Sequence, residues 1–159
     1  MSMFQYKTEQ FLPIGIDEAW SFFSSPKNLA TITPAELEFK ILTDVNDEEI
    51  YEGMKIDYTV KPLFKIPVHW QTEIIKVNKA KSFTDRQLKG PYKVWEHTHT
   101  FNILNNGILM HDVINYQLPF GFAGNIAHAL LVKKKIEHIF AYRKSILEKI
   151  FIQNEHVLN

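Results

Sequence analysis

Two histidines stand two residues apart in the run Trp95-Glu96-His97-Thr98-His99-Thr100-Phe101. On a β-strand this spacing puts both imidazoles on one face, with Trp95 and Phe101, and leaves Glu96, Thr98 and Thr100 on the other. Folding Leu109 to Leu118 back around an Asn106-Gly107 turn pairs Phe101 with Asp112, His99 with Ile114, His97 with Tyr116 and Trp95 with Leu118. An otherwise apolar face then carries His97, His99, Asp112 and Tyr116. Buried polar groups need partners, so this cluster calls for a ligand, a water or a closed network of its own. Imidazole, carboxylate and phenol together can anchor the polar end of a ligand. They can also move a proton as a general base, with the phenol donating to a developing oxyanion.

Tyr58, Trp70, Trp95 and Phe101 would wall such a pocket, and Asp85 or Gln87 would add polar contacts if they face inward. The expected ligand-binding set is therefore Tyr58, Trp70, Asp85, Trp95, His97, His99, Phe101, Asp112 and Tyr116. Two histidines at i and i+2 can reach one ion, with Asp112 diagonal to His99, but a zinc site wants a further ligand that the sequence does not offer. No metal and no cofactor are expected. Ser24 and Ser25 precede Pro26 at a helix end, where capping accounts for them better than nucleophilic attack. Catalytic residues stay unassigned. His69 and His111 fall on outer faces, His128 and His138 on a helix, and His156 in a tail. Lys133, Lys134 and Lys135 read as a solvated helix face. Leu118 to Gly124 joins the last strand to the last helix, and two glycines there suit either a gate or a plain turn.

The elements that must position these groups follow from periodicity. Phe4, Tyr6 and Leu12 mark an opening strand, and Asp17 is placed to cap a short helix over Glu18 to Phe23. A second helical turn runs through Asn28 to Thr31. Leu37-Phe39-Ile41, Met54-Ile56-Tyr58-Val60, Val68-Trp70-Thr72-Ile74 and Phe83-Asp85-Gln87 each alternate as strands, ahead of the histidine hairpin. From about residue 123 to about 151 the period turns helical, with Ile126, Leu130, Ile136, Ile139, Phe140, Ile146, Leu147 and Ile150 in a stripe. Residues 152–159 read as a frayed tail.

The chain has 159 residues, 45% of them hydrophobic, with 12 Phe, 6 Tyr and 3 Trp, enough for a real core and most simply one domain over 1–159. Eighteen basic and eighteen acidic residues cancel, so nucleic acid is not an expected partner. Cysteine is absent, which excludes disulfides, thiolate catalysis and cysteine-held zinc. No apolar run approaches a membrane span, and Met1 to Lys7 has no signal-peptide pattern, so a cytoplasmic location is expected. The aromatic content leaves room for a homodimer surface.

This α+β order is a strand, two short helices, six antiparallel strands and one long helix. It resembles the START-like (SRPBCC) superfamily, in its bacterial polyketide cyclase/dehydrase-like or ligand-binding branch. The residues that carry the likeness are Ala19-Trp20-Ser21-Phe22-Phe23-Ser24-Ser25-Pro26-Lys27-Asn28-Leu29, Ile32-Thr33-Pro34, Trp70-Gln71-Thr72-Glu73-Ile74, Gly90-Pro91-Tyr92-Lys93-Val94-Trp95 through Phe101, and Tyr116-Gln117-Leu118-Pro119-Phe120-Gly121. The resemblance implies a helix-grip fold: a curved, antiparallel seven-stranded sheet wrapped on a long C-terminal helix, with two short helices after the first strand. It further implies a cavity between sheet and helix for a small, mostly apolar molecule of lipid, polyketide, aromatic or isoprenoid class. A cyclase or dehydratase working in the same cavity, or an interaction module with a filled cavity, would also suit that superfamily.

Overall fold

The computed structural model describes residues 3–46, 48–62, 64–119 and 125–152, with side chains from 129 onward in the last segment. Strand β1 (Phe4–Leu12) leads into helices α1 (Ile16–Phe23) and α2 (Lys27–Thr31). Strands β2 (Lys40–Ile41), β3 (Lys55–Val60), β4 (Val68–Asn78), β5 (Ser82–Lys89), β6 (Val94–Leu104) and β7 (Gly107–Gln117) follow, and helix α3 (Asn125–Phe151) ends the described chain. The strands form one antiparallel sheet in the order β1-β7-β6-β5-β4-β3-β2, so each neighbours its sequence successor except that β1 closes onto β7. Register shifts between Gln71 and Thr72 and between Ile74 and Lys76 interrupt the β4–β5 pairing, which bends the sheet where it must wrap the helix. No helix among the described residues is long and apolar enough to cross a membrane.

Period two holds along β7, where Ile108, Met110, Asp112, Ile114 and Tyr116 are buried and the residues between them are half-buried. The hairpin differs from expectation by two residues. Leu104 pairs with Gly107, so His97 faces Ile114, His99 faces Asp112 and Trp95 faces Tyr116. A shift of two keeps every side chain on its face, which is why the inward set survives the error. Gly107 is spent on close approach rather than on the turn: a Cβ there would collide with the Leu12 carbonyl and the Phe11 ring. Asn105 and Asn106 take the turn instead.

Three other boundaries moved. Asp17 lies in the first turn of α1, whose N-cap is Gly15 without a side-chain capping bond. Leu37 sits in a 3-10 turn (Ala35–Leu37), and Glu38 adopts a left-handed φ of 44°, so β2 shrinks to Lys40 and Ile41. On α3 the buried stripe is Val132, Ile136, Phe140, Arg143, Leu147 and Phe151, a steady three-to-four-residue spacing, whereas Leu130 is 56% exposed. Residues 120–124 of the junction, the side chains of Ile126 and His128, and the tail from 153 lie outside the described residues or side chains.

Three apolar clusters hold α3 against the sheet. One gathers Leu12, Trp20, Phe83, Phe101, Leu147 and Phe151, a second Ile114, Tyr116, Val132, Ile136 and Phe140, and a third Leu37, Val60 and Trp70. Because Leu147 is fully buried, Leu147→Ala should cost about 2–5 kcal/mol. Leu130→Ala should stay within about 0.5 kcal/mol of the parent. Urea unfolding of the two variants measures this, and equal losses would contradict the placement of the stripe.

Candidate functional site

The clusters do not close completely. Between β3–β6 and α3 they leave a cavity of about 200 Å³, walled mainly by aromatic and aliphatic side chains including Phe39, Tyr58, Trp70, Trp95, Ile136 and Ile139. The aromatics lock one another in place. Tyr58 stacks on Trp70 at 5.9 Å, Trp70 meets Trp95 edge-on at 5.3 Å, and Tyr92 lies 4.7 Å from Trp95. The Tyr58 hydroxyl is tied to Thr72 Oγ1 at 3.0 Å, and burial raises its pKa, so it is a neutral wall residue.

One stretch of the wall is ionisable. β5 supplies Asp85, β6 supplies His97 and His99, and α3 supplies Arg143. Pairing of β5 with β6 sets Asp85 directly across from His97, and pairing of β6 with β7 sets Asp112 across from His99. Alternation turns all four side chains inward. Asp112 is 2% exposed, lies behind the imidazoles and outside the cavity wall, and is touched by both. Its Oδ1 is 2.8 Å from His97 Nε2 in a hydrogen bond. It is also 2.8 Å from His99 Nδ1, which lacks the alignment of one. The rings lie 3.9 Å apart, and Phe83 stacks on His99 at 4.2 Å.

The protonation states follow from this geometry. Burial alone would raise the Asp112 carboxyl, but attraction to His99 and the hydrogen bond from His97 outweigh it and hold Asp112 well below the usual carboxylate range. His97 is pushed down to about 3, first by burial and then by repulsion from His99, against the pull of Asp112. An ionised carboxylate can only accept, so neutral His97 carries its proton on Nε2 and turns a bare Nδ1 away from Asp112. That Nδ1 is 3.9 Å from Asp85 Oδ2, and His99 Nε2 is 3.8 Å from the same oxygen. Asp85 itself is pushed up to about 6 by burial, with Asp112 and Glu96 adding to the rise and His99 and Arg143 opposing it. A carboxyl poised near neutrality beside a bare imidazole nitrogen can hold or pass a proton.

Asp85, His97 and His99 also offer three ligand atoms within 4.8 Å of one another, so these are the residues that could hold a metal ion. Asp112, bonded to the far side of an imidazole, would then serve as its orienting partner.

Of the residues expected from the sequence, Tyr58, Trp70, Asp85, Trp95, His97 and His99 line the cavity. Phe101 packs instead among Trp20, Phe23 and Phe83, and Tyr116 stacks on Phe4 at 5.5 Å, so neither is part of the wall. Gln87 spends both ends of its amide on the Tyr92 backbone, at 2.7 and 3.2 Å. Sequence reasoning missed Arg143 and set Lys135 on a solvated face, whereas both line the cavity. The signal was present for Arg143: it falls between Phe140 and Leu147 on the stripe, where a solvated cation does not belong. His69, His111 and His138 pair with Asp57, Glu9 and Glu36 away from the cavity.

The fold has close structural counterparts. The Zhui aromatase/cyclase from Streptomyces sp. R1128 superposes with a TM-score of 0.71 at 13% identity, covering 92% of each chain. Protein Ms6760 from Mycobacterium smegmatis gives 0.68 at 12%, over 94% of this chain and 92% of that one. The major latex-like protein 151 of Panax ginseng gives 0.68 at 12%, over 94% and 98%. The helix-grip fold expected from the sequence is thereby shown. No family model matches the chain, and no curated protein matches it by sequence.

Two outcomes follow from the protonation states. Long-range proton–nitrogen correlation spectra should show His97 as the neutral Nε2–H tautomer throughout pH 5–8, and a charged or Nδ1–H ring would refute the assignment. For Asp85, the folded state keeps a proton between its ordinary value of 3.8 and about 6 that the unfolded chain has lost, so this residue's contribution to stability falls as pH rises through that window. Asp85→Asn removes that dependence. Its stability relative to the parent should therefore climb by up to about 3 kcal/mol between pH 4 and pH 7, read from urea unfolding. A flat difference would place the Asp85 carboxyl near its ordinary value.

Proposed function

We propose that this protein binds a small, mostly apolar molecule of lipid, polyketide, aromatic or isoprenoid class in the cavity between sheet and α3, anchored at its polar end by Asp85, His97 and His99. The observation that carries this reading is the cavity itself, an aromatic-walled space of about 200 Å³ whose lining includes Asp85, His97 and His99 side by side on the sheet. Binding sites for small molecules have this composition: apolar walls give affinity, and a few placed polar groups fix orientation. Structural likeness to an aromatase/cyclase and to a plant latex-like protein agrees with such a use of the fold.

A second reading has its own support. His97, backed by Asp112 and presenting a bare Nδ1 beside Asp85, has the arrangement of a general base with an orienting carboxylate. In that reading the bound molecule is a substrate, and proton abstraction leads to cyclisation or dehydration.

Native mass spectrometry of freshly purified protein, repeated after denaturation, tests the binding reading. A mass excess of a few hundred daltons that denaturation removes is the expected result, and Ile139→Trp, which intrudes on the cavity, should abolish it. A clean mass, with no uptake of neutral apolar probes, would overturn the proposal in favour of an interaction module. Once a ligand is known, His97→Gln separates the two readings: an enzyme loses turnover and keeps binding, whereas a carrier mainly loses affinity.

A further inference from the structure

Arg143 is a charged side chain of the cavity wall that no described residue pairs with. It is 7% exposed, lies in the second half of α3 and lines the cavity. Among the described residues it makes no hydrogen bond and has no carboxylate within ion-pair distance. Its one close partner is the Phe140 ring, 4.6 Å from the guanidinium carbon. Asp112 and Asp85 attract it only through space. Its Nε has no acceptor. On the side away from the cavity, Arg143, Gln10 and Asp112 border a gap too small to admit a water, and the Gln10 Oε1 there is itself unpartnered. Water cannot satisfy the guanidinium from behind.

Guanidinium stays charged in proteins, and a buried charge without a partner carries a large desolvation penalty. An occupant of the cavity can supply the acceptor that the guanidinium lacks. The rest of the lining points the same way. Lys135 stands two turns before Arg143 on the cavity side of α3, with Ile139 between them. Among the described lining residues the acidic side chain is Asp85, on the sheet side of the wall.

We infer that the ligand is an acid: an apolar body carrying a carboxylate or similar oxyanion that pairs with the Arg143 guanidinium. This rests on the cavity being a ligand site and adds the class of head group. The planar fork of Arg143 can take two oxygens of a carboxylate at once, which Lys135 cannot do. The imidazole nitrogens and Asp85 lie on the sheet side, where they suit a hydroxyl or other proton-bearing group on the same molecule.

A matched pair of fluorescent probes tests the inference on the intact protein. 8-Anilinonaphthalene-1-sulfonate and N-phenyl-1-naphthylamine share one aromatic body and differ by a single anionic group. Arg143→Met should weaken the sulfonate by about ten- to a hundredfold, the span of a lost charge-assisted pair, while the neutral probe changes by less than about threefold. Arg143→Lys should recover part of the sulfonate affinity, and Ile139→Trp should abolish both probes if both sit in the cavity. Met fills the arginine stem's space and removes an unpaired buried charge, so the empty variant should unfold at the same or higher urea concentration. If Arg143→Met leaves the sulfonate unaffected, or weakens both probes alike, the acid head group is refuted and the cavity reading stands. If neither probe binds the parent protein, the cavity reading fails and this inference with it.

Discussion

A carboxylate buried under two imidazoles organises this molecule. Asp112 is almost wholly withdrawn from water on a strand whose other inward residues are Ile108, Met110, Ile114 and Tyr116. A charge in that position is tolerable only with donors at bonding distance, and the His97 bond at 2.8 Å supplies one. That bond is made across the β6–β7 ladder, so the hairpin register is fixed by electrostatics as well as by the alternation of apolar side chains. A two-residue slip would keep the faces and break the pair. The hydrogen bond therefore specifies what hydrophobic patterning leaves degenerate.

The same bond decides what the cavity sees. By accepting the Nε2–H bond of His97, Asp112 leaves Nδ1 bare and turned toward Asp85. Across the space, α3 brings its Arg143 to the wall. Sheet and helix thus present opposite chemistry: acceptors and a poised carboxyl on one side, a guanidinium on the other. Neither half completes itself. His97 and Asp85 stand 3.9 Å apart, beyond hydrogen-bond range, and Arg143 Nε has no acceptor among the described residues. Incomplete pairing at this density is what a folded core avoids and what a binding site requires.

Period-two patterning revealed the inward face of β6 and β7 because it is a local property of the chain. Trp95, His97, His99 and Phe101 alternate whatever lies beside them, and Tyr58 and Trp70 follow the same rule. The partner of each group was harder to read, because it depends on register. The Asn106-Gly107 pair looks like a turn, yet Gly107 is claimed by a tertiary contact with β1, which no local rule contains. That shift moves Asp112 from diagonal to directly opposite His99 and places it behind the histidines. Asp85 was ambiguous in isolation, since Phe83-Thr84-Asp85-Arg86-Gln87 offers polar residues to both faces, and pairing with His97 resolves it. On α3 the stripe was read through Leu130, although Val132, Ile136, Phe140, Arg143 and Leu147 keep a better helical period. Counting apolar residues hid Arg143, because it belongs to the stripe by position and not by polarity.

A carrier and an enzyme would use this cavity differently, and the energetics of leaving it open bear on both. Cavities in well-packed cores cost roughly 24 cal/mol per Å³, so about 200 Å³ of unfilled space represents on the order of 5 kcal/mol. That is a large part of the stability a domain of this size usually has. Larger side chains at Val60, Val132 or Thr72 would recover some of it, and single small-to-large changes are easy for a sequence to sample. Instead the wall keeps small residues beside locked aromatics and adds an unpaired arginine, two choices that each reduce the stability of the empty protein. On the proposed reading one event would relieve both penalties: an apolar molecule with an acidic group would fill the volume and meet the guanidinium. The empty state is thus the strained one, and ligand and fold are thermodynamically linked through α3.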